Sequence, residues 1–557
     1  MVHTRSLITA LLVATVPAVY AGKIQKDGLT LPPSASANRD AVKAIFVNSY
    51  EAYKKSAWGH DDLAPLPGSN PPFVDSRNGW GASIVDGMDT MHIMGLTDYF
   101  NEAVTFASNI DFSKSNTSDT VSVFESTIRY IGGLLSAYEL GGKQQGALVE
   151  KARQLADKLI LAWVGGNTIP FGRVDFSNNK PVIQNSNIAE AGTLILEWAT
   201  LSKYTGNSTY FKFAEKAMRQ IATNPAPLPG LAPQGINPNS GAPVGGYLTW
   251  GGGSDSYFEY LIKFARLNNT NDALYADTWK LAVDSSLHSL LKKSTVGGQT
   301  YLADINTEKQ VVHVSSHLAC FHGGNWLMGG SMTNNKTVID TALELVDSCW
   351  NTYESTATGI GPETFAFMSD DGNSTGGPNP TPEQLEFYQQ HGFYIQSADY
   401  ILRPEVMESN FYAWRSTGDS KYLDRASKVI QSINNYLLVK ASNAYTGIMD
   451  VNNANSAKIN DMESFWFAET LKYLYLTFDD PSHISLDNYV FNTEAHPFEA
   501  PASLDNYGTP GGPVTSQNPP KFSATQAPVP NFSQSPGLPG DLHIPESGIF
   551  NLFGRRA

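Results

Sequence analysis

The chain has 557 residues and carries 38 Lys and Arg against 53 Asp and Glu, a formal net charge of −15. This acidity argues against a nucleic-acid partner, because a protein that binds nucleic acid needs basic surface to neutralise phosphates. The length allows one to four domains and a large core.

The N-terminal segment is predicted to be a cleaved signal peptide. His3 and Arg5 are basic, residues 7–16 form an apolar run, and residues 19–21 offer a cleavage site near Ala21. The apolar run is shorter than the ~20 residues that a membrane-spanning helix needs. A signal anchor is the alternative. We expect a secreted, vacuolar or lumenal protein with no stable membrane insertion.

The two cysteines and the glycosylation sequons bear on the same compartment. In an oxidising environment Cys320 and Cys349 are expected to form one disulfide, and two buried free thiols are the alternative. A secretory route also agrees with six Asn-x-Ser/Thr sequons, at Asn116, Asn207, Asn268, Asn335, Asn373 and Asn531.

From about residue 38 to residue 500 the sequence repeats one helical pattern. Short turns rich in Gly, Asn, Asp and Thr are each followed by an amphipathic helix, as in MGLTDYFNEAVTFA and STGDSKYLDRASKVI. A helix, a short turn and a returning helix form an αα-hairpin. We therefore predict a series of αα-hairpins along this region.

The two helices of each predicted hairpin differ in charge. The first carries little charge and the second carries more Lys, Arg and Asp, which predicts inner and outer helices respectively. Repeated hairpins form an open solenoid or a closed ring. Because the inner helices are apolar nearly all round, we predict an all-α protein, a closed α/α toroid whose long Gly/Pro/Asn-rich loops wall an acidic pocket.

Six acidic residues lie at the starts of successive predicted inner helices: Asp86, Glu125, Glu190, Asp255, Glu405 and Glu463. The helix dipole favours acids in any first turn, so each residue alone has a structural explanation. Burying several like charges together is unfavourable unless a cation or hydrogen bonds compensate, which favours a functional explanation for the group. Carboxylates meeting at one end of the hairpins could perform acid–base chemistry or hold a hard cation.

The segment VFNTEAHPF near the end of the helical region contains Thr493, Glu494 and His496. It could be a simple closing turn. A threonine hydroxyl and its own carbonyl are also oxygen ligands that suit calcium, so the segment is a candidate cation site.

The segment HVSSHLACFHGG places three histidines and a cysteine close together: His313, His317, Cys320 and His322. Two histidines four residues apart with a nearby thiolate could hold zinc. A disulfide is the better use of the cysteine, and the Gly pair that follows favours a loop. Zinc is therefore the minor alternative here.

Beyond residue 500 the composition changes to Pro, Gly, Ser and Gln. Such a segment has little apolar surface to bury, so residues 501–557 are predicted to be a disordered tail. The predicted organisation is a signal peptide at 1–21, a helical domain at 38–500 and a tail at 501–557.

Several long motifs occur in one order between about residues 38 and 498: WGHDDL, SIVDGMDTMHIMGL, VFESTIRYIGGLLSAYEL, GGSDSYFEYLIK, GIGPETF, LRPEVMESNFYAWRSTGDSKY, MESFWFAETLKYLYLTFDD and VFNTEAHPF. Together they resemble glycoside hydrolase family 47, the class I α-1,2-mannosidases that trim N-glycans. The resemblance implies a barrel of seven αα-hairpins, a Ca²⁺ cofactor, inversion at the anomeric carbon and a high-mannose N-glycan or glycoprotein substrate. We expect a monomer.

The resemblance also implies roles for individual residues. Glu125 is implied as the general acid, acting through a water, and Asp255 as a second acid of the proton-donor network. Glu405 is implied as the base that activates the attacking water, and Glu363 as a further active-site carboxylate. Thr493 is implied as the direct protein ligand of calcium.

Further residues are implied to line the pocket and to contact sugar hydroxyls or bound waters: Asp86, Arg129, Glu190, Arg403, Glu408, Glu463, Glu469 and Glu494. An inverting glycosidase needs its acid and base ~6.5–9.5 Å apart or more, with a water between them. Crowded carboxylates raise one another's pKa, so a cation should help to set their protonation.

One departure concerns specificity. Gly253 stands where members of the family restricted to one mannose branch have an arginine, which implies broader trimming.

Two other functions compete with an α-1,2-mannosidase: a glycan-binding lectin of the same fold with little turnover, and an α/α-barrel hydrolase of another polysaccharide. The intact acids argue against the first and the FNTEAHP motif against the second.

Overall fold

The structure is a computed structural model that describes residues 22–510 and 523–524. The predicted signal peptide and most of the predicted tail lie outside the described residues. Among the described residues, no helix has both the length and the apolar character needed to cross a bilayer.

Helices are the main regular structure of the described chain. The α-helices are α1 Ala35–Ala57, α2 Ala82–Ile93, α3 Thr97–Ala107, α4 Val123–Glu125, α5 Gly132–Leu140, α6 Gly146–Leu159, α7 Ile188–Gly192, α8 Ile195–Thr205, α9 Thr209–Thr223, α10 Asp255–Asn268, α11 Leu274–Ser289, α12 His322–Met332, α13 Lys336–Glu354, α14 Pro382–His391, α15 Glu405–Thr417, α16 Lys421–Ser432 and α17 Leu471–Phe478. π-Helical turns occupy Ser126–Ile131, Ile433–Leu437 and Trp466–Thr470.

The strands are short and lie in the connections between helices. They are β1 Asp62–Leu63, β2 Phe73–Val74, β3 Val121–Ser122, β4 Arg173–Asp175, β5 Lys180–Pro181, β6 Ser186–Asn187, β7 Gly235–Ile236, β8 Pro243–Val244, β9 Leu291–Lys293, β10 Thr300–Leu302, β11 Asp304–Ile305, β12 Gln310–Val312, β13 Val314–Ser316, β14 Thr364–Ala366, β15 Tyr394–Ser397, β16 Leu438–Val439, β17 Ala444–Tyr445, β18 Tyr489–Phe491, β19 Pro497–Glu499 and β20 Ser523–Ala524. They form two- and three-stranded sheets, in which β12 and β20 are parallel and the other pairs are antiparallel.

Within the described residues, helices that follow one another pack in pairs: α2 with α3, α5 with α6, α8 with α9, α10 with α11, α12 with α13 and α15 with α16. A further pair joins α17 to α1, from opposite ends of the chain. The first helices also contact one another in the order α2, α5, α8, α10, α12, α15 and α17. The π-helical turn before α17 contacts α2, so this series of contacts returns to its start.

The burial of the helices follows the predicted division into inner and outer members. In α10 every side chain from Ser256 to Arg266 is buried. In α16 the buried residues are Tyr422, Leu423, Ala426, Val429 and Ile430, which form one stripe at helical spacing. The charge difference between the two helices of a hairpin therefore predicted their burial correctly.

The packed structure extends beyond the predicted limits of the helical domain. α1 begins at Ala35. At the other end, Tyr507 is buried, its hydroxyl donates to the side chain of Asn269, and Thr509 contacts Asp277. Tyr507 and several hydrogen bonds therefore hold residues 501–510 against α10 and α11.

The predicted disulfide is confirmed. Cys320, in the 3₁₀ turn Leu318–Phe321, is bonded to Cys349 of α13, 29 positions along the chain. Both cysteines are buried. The bond links the turn that precedes α12 to α13.

We expect the double substitution Cys320→Ala with Cys349→Ala to lower the free energy of unfolding by about 3–4 kcal/mol, because a 29-residue loop is released in the unfolded chain. Urea unfolding would measure this loss. With a reductant present throughout unfolding, the free energy of unfolding of the native protein should fall towards that of the variant. Equal unfolding free energies under oxidising conditions would contradict the prediction.

Candidate active site

The six repeated acids lie at or near helix starts, as predicted, with differences in detail. Asp255 and Glu405 are the first residues of α10 and α15. Glu125 and Glu190 lie in the first turns of α4 and α7, where the side chains of Ser122 and Asn187 accept their backbone N–H groups. The other two depart from the pattern: Asp86 lies one turn inside α2, and Glu463 precedes a π-helical turn.

Arg129 binds three carboxylates at the first corner of the site. Its Nε donates to Glu125 at 2.8 Å, an Nη lies 3.5 Å from Asp86, and the same Nη donates to Glu494. Burial opposes the charge on Glu125, but Arg129 and then Arg77 outweigh it, so the pKa of Glu125 is lowered. Glu125 is therefore held as a carboxylate.

Arg77 binds a second set of carboxylates, and the sequence analysis did not find it. Its guanidinium donates to Asp62 at 2.9 Å and to Glu463 at 2.7 Å, and its Nε lies 4.0 Å from Glu125. The arginine is buried. It lies in the SRNGW segment, whose residue types alone gave no sign of a functional role.

Arg403 and His317 hold the predicted base. The Arg403 guanidinium donates twice to Glu363, at 2.6 and 2.8 Å, and lies 3.9 Å from Glu405. Glu405 also bonds to His317 Nδ1 at 2.7 Å, and His317 Nε2 bonds to the Tyr353 hydroxyl. Burial alone would raise the pKa of Glu405. The contacts with His317 and Arg403 have a larger opposite effect, so the pKa of Glu405 lies below that of an ordinary glutamate.

Asp255 has the opposite environment from Glu405. Burial raises the pKa of Asp255 to about 7, and the Glu259 and Glu405 carboxylates add to the effect against a hydrogen bond from the Ser256 backbone. Glu405 therefore has two effects: it stays negatively charged itself, and its charge makes ionisation of Asp255 less favourable. The two carboxyl groups differ in protonation near neutral pH.

The remaining pocket acids are crowded. Burial raises the pKa of Glu408 and Glu494 to about 8 each, although Lys263 opposes the shift at Glu408 and Arg129 opposes it at Glu494. Burial and then the neighbouring Glu494 raise the pKa of Glu469 well above its ordinary value. Among the described residues, Glu469 has no hydrogen-bond or ion-pair partner. In this corner of the site the carboxyl groups outnumber the neighbouring cations, Lys263 and Arg129.

Glu190 lies at the edge of the same group. Its carboxylate accepts a hydrogen bond from Ser186 at 3.2 Å, and burial raises its pKa, with Glu125 contributing in the same direction. A Cβ at Gly172 would stand 2.5 Å from a carboxylate oxygen of Glu190. The glycine is therefore required for Glu190 to keep its position.

Thr493 lies in a tight turn held from several sides. The Asn492 side-chain nitrogen donates to Glu197 at 2.7 Å and to the Ile128 carbonyl at 2.9 Å, and the Asn492 side-chain oxygen accepts the backbone N–H groups of Glu494 and His496. The Tyr260 hydroxyl donates to Glu197 at 2.5 Å and accepts the Thr493 N–H at 3.2 Å. These contacts fix the partly exposed Thr493 beside Glu494.

A second group of carboxylates could hold a metal ion by distance alone. One oxygen from each of Asp62, Asp461 and Glu463 lies within 4.8 Å of the others. Arg77 already neutralises two of the three, and all three are buried. Thr493 and its neighbours suit a substrate-bound cation better, because Thr493 is partly exposed and its neighbouring acids lack sufficient positive charge.

Comparison with known proteins decides the family. Residues 45–500 match the sequence profile described as "Glycosyl hydrolase family 47". The chain belongs to glycosyl hydrolase family 47. It is therefore a glycoside hydrolase, and the resemblance inferred from the motifs is confirmed.

Relatives of this family 47 chain are fungal. It is 37% identical over 514 residues to the mannosyl-oligosaccharide alpha-1,2-mannosidase 1B of Emericella nidulans, covering 88% of this chain and 99% of the relative. It is 37% identical to the mannosyl-oligosaccharide alpha-1,2-mannosidase of Penicillium citrinum, covering 88% and 97%. The alpha-1,2-mannosidase structure from Trichoderma reesei superposes with a TM-score of 0.79 at 37% identity, covering 84% and 99%.

The structure separates accessible acids of the family 47 site from buried ones. The side chains of Glu125, Glu363 and Glu405 are 19%, 16% and 12% exposed. Asp86 and Glu463, predicted to contact substrate, are 0% and 2% exposed and are held by other side chains. Asp86 accepts the Ser464 hydroxyl and lies 3.5 Å from Arg129, and Glu463 accepts a hydrogen bond from Arg77, so in this structure both acids help to position an arginine.

The zinc alternative is excluded for the histidine segment. Cys320 is in a disulfide, His317 binds Glu405, and His313 bonds to Asp371 and Ser374. His322 is buried, and burial lowers its pKa to about 3. The spacing of these residues in the sequence could not reveal that His317 faces a carboxylate from α15.

Asp61 organises the segment that carries Arg77. Its two carboxylate oxygens accept backbone N–H groups from successive residues at 2.7–3.1 Å, and one also accepts the Tyr130 hydroxyl; the N–H donors are Arg77, Gly79, Trp80, Gly81 and Ala82. The side chain is 0% exposed. One carboxylate therefore holds both Arg77 and the start of α2.

We expect Asp61→Asn to lower the free energy of unfolding by about 2–4 kcal/mol. The new NH₂ group would face the N–H groups of Arg77 and Gly79, leaving buried donors unpaired. Urea unfolding would measure the change. The control is Asp175→Asn. Asp175 accepts the Ser177 N–H in an exposed turn, so this change should lower the free energy of unfolding by less than about 1 kcal/mol. Equal effects of the two variants would contradict this assignment.

Proposed function

We propose that this chain is a calcium-dependent exo-α-1,2-mannosidase that removes mannose from high-mannose N-glycans with inversion. The observation that carries the proposal is the contrast between two carboxyl groups at helix starts: Glu405 lies against His317 and Arg403, whereas Asp255 makes no ion pair among the described residues. Asp255 is neutral up to about pH 7, whereas Glu405 is held ionised by His317 and Arg403. An inverting glycosidase needs one protonated acid and one ionised base.

The fold that presents these groups is a closed α/α toroid of seven hairpins, monomeric, with the loops walling the pocket. The unbroken series of contacts among the first helices supports the closed ring. The pairing of α17 with α1 supplies a seventh pair and brings the two ends of the helical region together. Closure brings the helix starts, and so the carboxylates, to one side of the ring.

The proposed chemistry uses the protonation states directly. Glu405 takes a proton from a water whose oxygen bonds to C1 of the terminal mannose. The C1–O bond to the next sugar breaks, and the departing oxygen keeps the electron pair and receives the proton held by Asp255. This departs from the role that the family resemblance implies for Glu125, the general acid: because Arg129 and Arg77 keep Glu125 ionised, we propose that it orients the water through which the proton passes.

The donor set around Thr493 fits a calcium ion. A hydroxyl, a backbone carbonyl and nearby carboxylates are oxygen ligands of the kind calcium prefers. Glu469 is crowded by Glu494 and lacks a partner among the described residues, so positive charge is missing at this point. A bound calcium ion would supply that charge and hold two sugar hydroxyls. Thr493 would ligate it, with Glu408, Glu469 and Glu494 nearby.

The names of the relatives and the pocket support the substrate. The relatives are named as mannosyl-oligosaccharide alpha-1,2-mannosidases, which favours oligosaccharide substrates ending in α-1,2-mannose. Gly253 has φ +85°, and a Cβ there would stand 2.8 Å from the Gln234 amide nitrogen. A larger residue is therefore disfavoured at this position, and by the family resemblance a glycine here favours trimming of more than one mannose branch. We place the enzyme in the secretory pathway or outside the cell.

The proposal predicts chelator-sensitive release of mannose. The purified protein should convert a Man9 N-glycan to smaller glycans, followed by mass spectrometry. EDTA should abolish the conversion and Ca²⁺ should restore it, with calcium binding measured by calorimetry. Glu405→Gln should lower kcat by at least about 10²–10⁴-fold, because the amide cannot accept the proton of water.

Glu150→Gln is the matched control, since Glu150 lies on the exposed face of α6 and should leave release unchanged. Binding of Man9 by the native protein with no release of mannose would contradict the proposal and would support a glycan-binding protein. Full activity of Glu405→Gln would overturn only the assignment of the base.

The pH profile tests the assignment of the acid. Because the raised pKa of Asp255 leaves its proton in place below about pH 7, kcat/KM should fall as pH rises through about 7. Because the pKa of Glu405 is lowered, the acid limb should lie below the ordinary glutamate value of about 4.3. Asp255→Asn should lower kcat by about 10²–10⁴-fold and remove the limb near pH 7.

Asp304 offers a control for this profile. Burial raises its pKa to about 7 as well, but it pairs with Tyr247, away from the arginines of the site. Asp304→Asn should leave the alkaline limb in place. An alkaline limb that moves in Asp304→Asn and persists in Asp255→Asn would contradict the assignment.

A further inference from the structure

A groove lies on the surface apart from the carboxylates of the active site. It has a volume of about 660 Å³ and is bounded by the end of α1, the outer side of α3 and the segment 109–116. Its walls include the partly exposed rings of Trp58 and Phe106, whose centroids are 5.5 Å apart. The exposed side chains of Glu102 and Asn109 provide polar edges.

This combination suits a sugar. A pyranose ring has a face of C–H groups that packs on aromatic rings, and hydroxyls at its edge that need polar partners. The groove volume falls within the range of about 300–1,000 Å³ that is usual for small-ligand sites. Neither ring is needed by the proposed chemistry, and no acidic residue of the active site lines the groove.

An asparagine that can carry a glycan forms part of the groove wall. Asn116 is the first residue of the sequon Asn116–Thr117–Ser118, and it lines the groove. It is exposed, and its side-chain nitrogen donates one hydrogen to the Gly79 carbonyl at 2.7 Å. A primary amide nitrogen carries two hydrogens, so one remains replaceable while the bond to Gly79 persists.

A covalent bond to Asn116 makes binding of the sugar in the groove more favourable than binding of a free sugar. A sugar tethered to Asn116 has an effective concentration in the millimolar range at the adjacent groove. Contacts with two rings and two polar side chains, too weak for a free sugar, are then sufficient. Occupation would cover the rings of Trp58 and Phe106 and support the segment 79–81, which Asp61 anchors from the other side.

We propose that Asn116 carries an N-linked glycan whose first N-acetylglucosamine residues lie in this groove against Trp58 and Phe106. In the transfer, Asn116 Nδ2 bonds to C1 of the sugar and loses one proton. The C1–O bond to a lipid-linked diphosphate breaks, and the diphosphate leaves with the electron pair. The inference rests on the secretory location proposed above, but not on the proposed mannosidase activity.

The test uses the full chain secreted from a eukaryotic host. Mass spectrometry of glycopeptides should find Asn116 occupied in the native protein and in Ser118→Thr, and unoccupied in Ser118→Ala. A peptide N-glycosidase should then release the Asn116 glycan at least about tenfold more slowly from the folded protein than from the denatured protein. Ser118→Thr and Ser118→Ala leave the asparagine itself unchanged.

Substitutions in the groove test whether the glycan packs there. Trp58→Ala should remove most of the difference between folded and denatured release rates. Because Trp58 also packs on Tyr53, Thr105→Arg provides a second variant that fills the groove from an exposed position on α3. Thr97→Arg, the same change at an exposed position of α3 outside the groove, should behave like the native protein.

The outcomes separate this inference from the others. Absence of a glycan at Asn116 alone would overturn it, as would equal release from the folded and denatured protein. Absence of glycans at all six sequons would overturn the secretory location as well. Occupation and slow release in a protein without mannosidase activity would leave the inference standing and the proposed function refuted.

Discussion

Ion pairing between three buried arginines and the carboxylates around them is the feature on which the site depends. Arg77, Arg129 and Arg403 each bind carboxylates from parts of the chain that are far apart in sequence. Without these cations, burying so many acids together would be unfavourable by several kcal/mol per charge. Arg77 and Arg129 are joined through Glu125, and Arg403 holds Glu363 and lies near Glu405, so each arginine balances the charge of the carboxylates beside it.

The same pairing divides the carboxyl groups by protonation. Glu125 and Glu405 lie against cations, which lower their pKa, whereas burial and the Glu259 and Glu405 carboxylates raise the pKa of Asp255 to about 7. Burial and neighbouring carboxylates raise the pKa of Glu408, Glu469 and Glu494. The site therefore contains carboxyl groups of both kinds, some held ionised and some that favour a proton.

Local backbone structure next to two of the acids differs from the regular helix that the sequence predicts. Glu125 and Glu463 each precede a π-helical turn, Ser126–Ile131 and Trp466–Thr470. A π-turn widens the helix by one residue and is common at functional sites. It shifts the side chains that follow, including Arg129, relative to a regular helix. Hydrophobic spacing predicts a helix in both places but carries no signal for the extra residue.

Patterns within short segments were enough to predict the all-α class, the paired helices, the inner and outer faces, the disulfide and the family, because each is set by residues close together in the chain. Arg77, His317 and the buried state of Asp86 and Glu463 required the folded chain. The two ends of the Arg77–Glu463 contact lie 386 residues apart, and those of His317–Glu405 lie 88 apart. Charge partners at such separations leave no periodic trace in a single sequence, so packing alone decides which acid each cation meets.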